Sequence, residues 1–280
     1  NILNKNILAD GFEPIIDLEK SFGSWIVDQR TGDKFLDMFS MYASGAVGYN
    51  HPYIIKNQGL LGKLAINKTT LSDIYNVYYA DFLQTFNDFA TTNYLKKVFF
   101  IDGGALAVEN ALKAAFDWKK RKNLEKGLKE EGDKVIYFNQ AFHGRSGYTL
   151  SLTNTSDPRK TMYFPQFPWF KVDNPHLSFP INNDILKDLE TNEKLVINDI
   201  IKIINSNPND IAAVIIEPIQ GEGGDNHFRN EFMVELRNIC DEYDIILIFD
   251  EVQTGIGITG KMWAHEHFSI RPDIISFGKK

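Results

Sequence analysis

Ile245-Ile246-Leu247-Ile248-Phe249-Asp250-Glu251-Val252-Gln253 carries the architecture in a few residues. The apolar run is too short for a helix and does not alternate with polar residues. It therefore reads as a strand buried on both faces, and such strands belong to parallel sheets. The same pattern recurs at Lys97–Ile101, Val135–Phe138, Ala212–Glu217 and Asp273–Phe277. Helical stretches fall between these runs: Ala105 to about Lys122, Asp184–Asn205, and residues 231–242. Strands alternating with helices make an α/β fold, a mostly parallel sheet flanked by helices on both faces.

Working outward, the first 45 residues differ. Ser24–Asp28 and Lys34–Met38 alternate around Arg30-Thr31-Gly32-Asp33, which reads as a hairpin with a glycine turn. Residues 1–45 are thus expected as an α+β segment of a smaller domain, and 46–280 as the larger domain. Helical period returns at Phe82, Leu83, Phe86 and Phe89, whereas Tyr75–Tyr79 is ambiguous. Residues 155–182 hold five prolines and many aromatics, as expected for a long irregular segment.

Composition narrows the function classes. The 280 residues are 43% hydrophobic and 24% charged, with a net charge of −7. That balance is globular and speaks against a nucleic-acid partner or a polybasic membrane surface. The longest uninterrupted apolar stretch, Ile211–Ile216, is far short of a membrane span. A cytoplasmic protein is expected. Cys240, the sole cysteine, permits no internal disulfide or multi-cysteine metal site and reads as a buried structural thiol. No metal site is expected.

The chemistry collects where strands end, which is where open α/β sheets bind ligands. Gly103-Gly104-Ala105 lies between a strand and a helix. It is either a tight turn or an anion cradle of free N–H groups at a helix N-terminus. It matches neither the phosphate-loop nor the dinucleotide glycine pattern. Asp250 closes an apolar strand, where a carboxylate is either a loop cap or the partner of a buried cation. Lys279 follows another apolar strand, either solvated or poised as an amine of lowered pKa for imine chemistry.

These fragments assemble into one pattern. Ile216–Gly224 (IEPIQGEGG), Phe249–Gly255 (FDEVQTG) and Asp273–Lys279 (DIISFGK) resemble the signature of class III pyridoxal-phosphate aminotransferases, which have the fold type I architecture. Asp17–Pro52, Phe99–Phe116 and Ala141–Thr155 resemble the lysine 6-aminotransferase branch, so the likeness runs along the whole chain. It implies that Lys279 holds pyridoxal 5'-phosphate as a Schiff base and shuttles a proton. Asp250 would pair with the ring nitrogen, Phe142 and Val252 would cover the two ring faces, and Gln253 would reach the phenolic oxygen. Gly104 and Ala105 would supply phosphate-binding amides. Alanine replaces the Ser or Thr usual in the wider family, so one hydroxyl contact is lost.

By the same likeness Arg145 would take a substrate carboxylate, and Glu217 and Glu222 would line the substrate pocket. Glu222 would pair with an arginine from a C-terminal part and move aside for the second substrate. His143 would support the stacking ring, although a hydrogen-bonded loop histidine is an equal reading. The implied reaction moves the ε-amine of L-lysine to 2-oxoglutarate in a homodimer, giving glutamate and 2-aminoadipate 6-semialdehyde. Ornithine and 4-aminobutyrate aminotransferases are the nearest alternatives, and a non-catalytic phosphate-ligand binder is the alternative of another class. The likeness also implies a C-terminal domain after Lys280, so that residues 1–280 alone are not expected to turn over.

Overall fold

The computed structural model describes residues 2–9, 11–67, 69–70 and 73–280. Its contacts form two compact units, one ending at Phe86 and including Lys280, the other spanning Asn87–Lys279. In the first, β1 (Trp25–Val27) and β2 (Lys34–Leu36) pair antiparallel with Trp25 opposite Leu36. Gly32 in the connecting turn sits at φ 78, a conformation glycine adopts without strain. A single turn α1 (Ser40–Ala43) follows, then α2 (Pro52–Lys56), α3 (Gln58–Ile66) and α4 (Val77–Phe89). None of these four buries a residue. The division between the two contact units falls within α4.

The second unit contains α5 (Gly104–Glu125), β3 (Lys134–Phe138), β4 (Phe170–Val172), α6 (Asn183–Ser206), β5 (Ile211–Ile216), β6 (Ile219–Gln220), β7 (Asn226–His227), α7 (Asn230–Glu242), β8 (Ile246–Glu251) and β9 (Ile274–Phe277). Five strands make one sheet in the order β4-β3-β5-β8-β9, with every neighbouring pair parallel. Side chains of a strand point alternately to the two faces, and both faces here are covered. Val214, Ile216, Leu247 and Phe249 pack with Ile200 of α6 and Met233 and Leu236 of α7. Ala213, Ile215 and Ile248 turn the other way, onto Val108, Leu112 and Ala115 of α5. That spacing on α5 puts its small and branched residues on one stripe. Each fully buried Ile, Val or Leu contributes about 1.5–3 kcal/mol, so this sheet is the centre of stability.

Two strand expectations need correction. Lys97–Ile101 is not a strand, and Phe99 and Ile101 are exposed. Apolar sequence alone does not make a strand; a hydrogen-bonded neighbour does, and the sheet ends at β9. The segment passes close to that edge, because Phe100 packs edge-on against Phe277 at 6.1 Å between ring centroids. Conversely, β4 forms inside the stretch read as irregular, where Phe170–Val172 pairs with Ile136–Phe138. Cys240 is buried in α7, and burial pushes its thiol up to about 12. No helix among the described residues is long and apolar enough to cross a membrane.

Candidate functional site

Asp250 sits near the carboxyl end of β8, opposite Ser276 of β9, and is 4% exposed. Val252 N–H donates to its Oδ1 at 3.0 Å. Its Oδ2 lies 2.7 Å from Nδ1 of His143, itself fully buried. An ionised carboxylate only accepts, so His143 carries its proton on Nδ1 toward Asp250. Burial pushes the His143 pKa down, but the hydrogen bond and charge of Asp250, with the charge of Glu217, outweigh it and leave the pKa raised. His143 Nε2 is buried with no hydrogen-bond partner among the described residues. The next residue, Glu251, points to the opposite face, where Ala264 N–H, His265 N–H and the His265 ring engage it.

The loop after β3 brings Phe142–Arg145 against the start of α5. Gly144 has φ 122, and a Cβ there would lie 2.6 Å from the Cβ of Ala105. On the other side of α5, a Cβ on Gly104 would lie 2.6 Å from Val252 Cγ1, and one on Gly278 would lie 3.4 Å from the Gly104 Cα. Gly104 and Gly144 thus sit where any side chain would collide with Val252 or Ala105, and Gly278 lies in ordinary contact with the Gly104 backbone. The helix opens at Gly103, φ 95, with no side-chain cap, so its first N–H groups and dipole are left for an anion. Gly278 leads to Lys279, whose Nζ donates to Gln253 Oε1 at 2.9 Å. The protein around Lys279 removes enough water to lower its pKa, against the opposing charges of Asp250, Glu217 and Glu222. Gln253 in turn packs on Gly221, where a Cβ would lie 2.5 Å from Nε2.

The two glutamates separate. Glu217 is buried, and its Oε1 accepts from Phe142 N–H at 2.9 Å, which ties the aromatic residue's loop to the end of β5. Burial raises its pKa to about 7, with Asp250 adding to the effect and His143 opposing it. Glu222 stays accessible and forms an ion pair with Lys160. The Lys160 ammonium also lies 5.9 Å from the Phe142 ring centroid. Buried amides hold the loop that carries Glu222. Asn174 and Asn226 donate to Gln220 Oε1 at 2.8 and 2.9 Å, and Gln220 donates to Asn139 O at 2.8 Å. Arg145 is exposed at the rim.

A buried carboxylate, an uncapped helix start and a lysine of lowered pKa thus converge from separate strand ends. Residues 8–280 match the family described as aminotransferase class-III. The chain belongs to the class-III aminotransferases. It is 46% identical, over all of its length and 62% of the relative's, to an L-lysine-epsilon aminotransferase of Mycobacterium tuberculosis (strain ATCC 25618 / H37Rv). It is 33% identical to a 4-aminobutyrate aminotransferase of Emericella nidulans, over 99% of this chain and 59% of that one. A solved structure of the M. tuberculosis lysine aminotransferase in the internal aldimine form superposes with a TM-score of 0.94, at 46% identity, over 100% of this chain and 64% of that one. The chain therefore spans about six tenths of the length of the curated relatives it matches.

Class-III aminotransferases use pyridoxal phosphate, and the residues here fit it. The Asp250 carboxylate suits a protonated ring nitrogen, the bare start of α5 suits a phosphate, and Lys279 supplies an amine for a carbonyl. Of the residues singled out in sequence, Gly104, Ala105, Phe142, His143, Glu217, Asp250, Val252, Gln253 and Lys279 are linked by direct contacts. Glu222 joins through Lys160. Sequence reasoning missed Lys160 and the Gln220 amide network. The only sequence signal for the network was the number of amides near the Gly-rich loop, and for Lys160 there was none.

Proposed function

We propose that this chain is the cofactor-binding part of a pyridoxal-phosphate-dependent L-lysine 6-aminotransferase, passing the ε-amine of lysine to 2-oxoglutarate. The observation that carries the chemistry is the Asp250–His143 pair at the end of β8, gathered with Lys279 around the start of α5. The donor assignment is supported by the identity gap between the lysine and the 4-aminobutyrate relatives, 46% against 33%. A homodimer in the cytoplasm is part of the same proposal and rests on the family likeness.

When bound, pyridoxal phosphate supplies a carbonyl that condenses with amines and a protonated ring that takes up an electron pair. The protein's part is placement and proton control. Val252 N–H and His143 each hold one oxygen of Asp250, so its charge has a set direction in a water-poor place. Because the Lys279 pKa is lowered, more of its amine is unprotonated near neutral pH, and it can take a proton from a substrate carbon and return it. Gly104 and Ala105 offer backbone N–H groups to phosphate oxygens. Phe142, anchored by Glu217, and Val252 close the two sides of the cleft. Arg145 presents a two-pronged donor to a carboxylate.

The test is steady-state rates of the complete enzyme with L-lysine, ornithine and 4-aminobutyrate against 2-oxoglutarate. Lysine is expected to lead in kcat/KM by about tenfold or more, equal to about 1.4 kcal/mol of transition-state preference. A lead for either rival overturns the donor. No turnover at all, together with no borohydride-fixed adduct on Lys279, overturns the enzyme in favour of a phosphate-ligand binder.

A further inference from the structure

Ala105 and Glu109 are four residues apart in α5, so they lie one turn apart on the same face of the helix. That face carries the loop on both sides of Arg145. Before Arg145, Gly144 sits so close to Ala105 that a Cβ there would lie 2.6 Å from the alanine Cβ. After it, Glu109 Oε1 accepts from Ser146 Oγ at 2.6 Å and from Tyr148 N–H at 3.0 Å. Ser146 N–H donates to Thr149 Oγ1 at 3.0 Å, and Thr153 Oγ1 donates to Gly144 O at 2.6 Å. The chain is thus tied at 144, 146 and 148, whereas the Arg145 side chain is exposed. Glu109, half-buried, is the one tie that reaches this turn from a separate element.

We infer that Glu109 is a positioning residue for substrate recognition, holding the turn after Arg145 so that the guanidinium meets the substrate carboxylate at a fixed distance from the start of α5. This rests on the carboxylate role proposed above for Arg145. An α-helix rises about 1.5 Å per residue, so Glu109 stands only about 7.5 Å along the axis from Gly104. One rigid helix therefore sets both the phosphate end of the site and the loop that carries its carboxylate arm. The Ser146 hydroxyl and the Tyr148 N–H both need an acceptor here, and a half-buried donor without one costs more than the bond itself contributes. Cutting these ties frees the turn, and a guanidinium displaced by about 1 Å loses its two-pronged fit.

The experiment uses the complete, cofactor-loaded enzyme. Single-turnover reaction with L-lysine, followed by cofactor absorbance, gives an apparent Kd and a limiting rate. Glu109→Ala is expected to raise the apparent Kd about tenfold while the limiting rate stays within about twofold. Glu109→Gln keeps an acceptor oxygen and stays near the unsubstituted enzyme. Arg145→Met raises the apparent Kd at least as far, and adding Glu109→Ala to it costs less than about twofold more, because the carboxylate acts through the arginine. Ser146→Ala, which cuts one tie from the other side, raises the apparent Kd about threefold and serves where Glu109→Ala does not fold. An unchanged apparent Kd in Glu109→Ala or Ser146→Ala, or a full additional loss in the double variant, overturns the inference and leaves the proposed reaction intact. An Arg145→Met enzyme that binds L-lysine normally overturns both the inference and the carboxylate role of Arg145.

Discussion

The strands β5 and β8 and the helices α2–α4 are both rich in apolar residues, yet they use them in opposite ways. Every residue of β5 is buried, and five of the six in β8 are. Helices α2–α4 bury none, and Tyr53, Leu60, Phe82 and Phe89 remain exposed. The candidate site sits on the first kind of element. Asp250 and Glu217 are at the ends of strands with buried interiors, and their carboxylates are held there by His143, Val252 N–H and Phe142 N–H. Burial is thus what shapes the candidate site's electrostatics.

The largest effect that can sharpen this contrast is chemical. Asp250→Asn keeps the shape but removes the charge, and kcat of the complete enzyme should fall about 10²–10³-fold. Steady-state kinetics check it, and near-normal kcat would detach function from the buried strand ends. The contrast in stability comes next. Ile215→Ala, in a position with no exposed surface, should cost about 2–5 kcal/mol, whereas Leu60→Ala, at 46% exposure, should stay within about 0.5 kcal/mol. Urea melts of the two variants measure this directly, and equal costs would break the comparison.

The smallest effect is a pH slope. Burial raises Glu217 from 4.5 to about 7, so the folded chain holds this proton more tightly than the unfolded one. Its stabilising contribution is complete below about pH 4.5 and is lost as pH rises through about 7. Glu217→Gln should therefore flatten the fall in stability across that window, by up to about 1.4 kcal/mol per pH unit for the one proton involved. Unfolding free energies of the cofactor-free protein at several pH values give the slope. A slope the variant leaves unchanged would mean that Glu217 is not proton-linked to folding.

Much of this was legible before any coordinates. The runs at 135–138, 212–217, 245–249 and 273–277 all became parallel strands within a residue or two of where they were read, because continuous apolar sequence has few other destinations. The helices read at 105 to about 122, 184–205 and 231–242 also formed, as 104–125, 183–206 and 230–242. Lys97–Ile101 misled because hydrophobicity reports burial potential and not pairing. Phe170–Val172 was hidden because three residues among prolines give no period to read. Lys160 was invisible because its meaning depends on Glu222, far away in sequence and near in space.

The sequence by itself determined the layered α/β architecture and the strand ends where candidate residues collect, since short-range periodicity encodes both, and the family likeness nominated Gly104, Phe142, Asp250, Gln253 and Lys279 as candidates. Only the tertiary structure decided that His143 serves Asp250, that Glu217 turns inward to Phe142 while Glu222 meets Lys160, and that Glu251 faces away from its neighbour. Those outcomes depend on which side of a strand a residue faces and on which distant loop crosses it, and local sequence specifies neither partner.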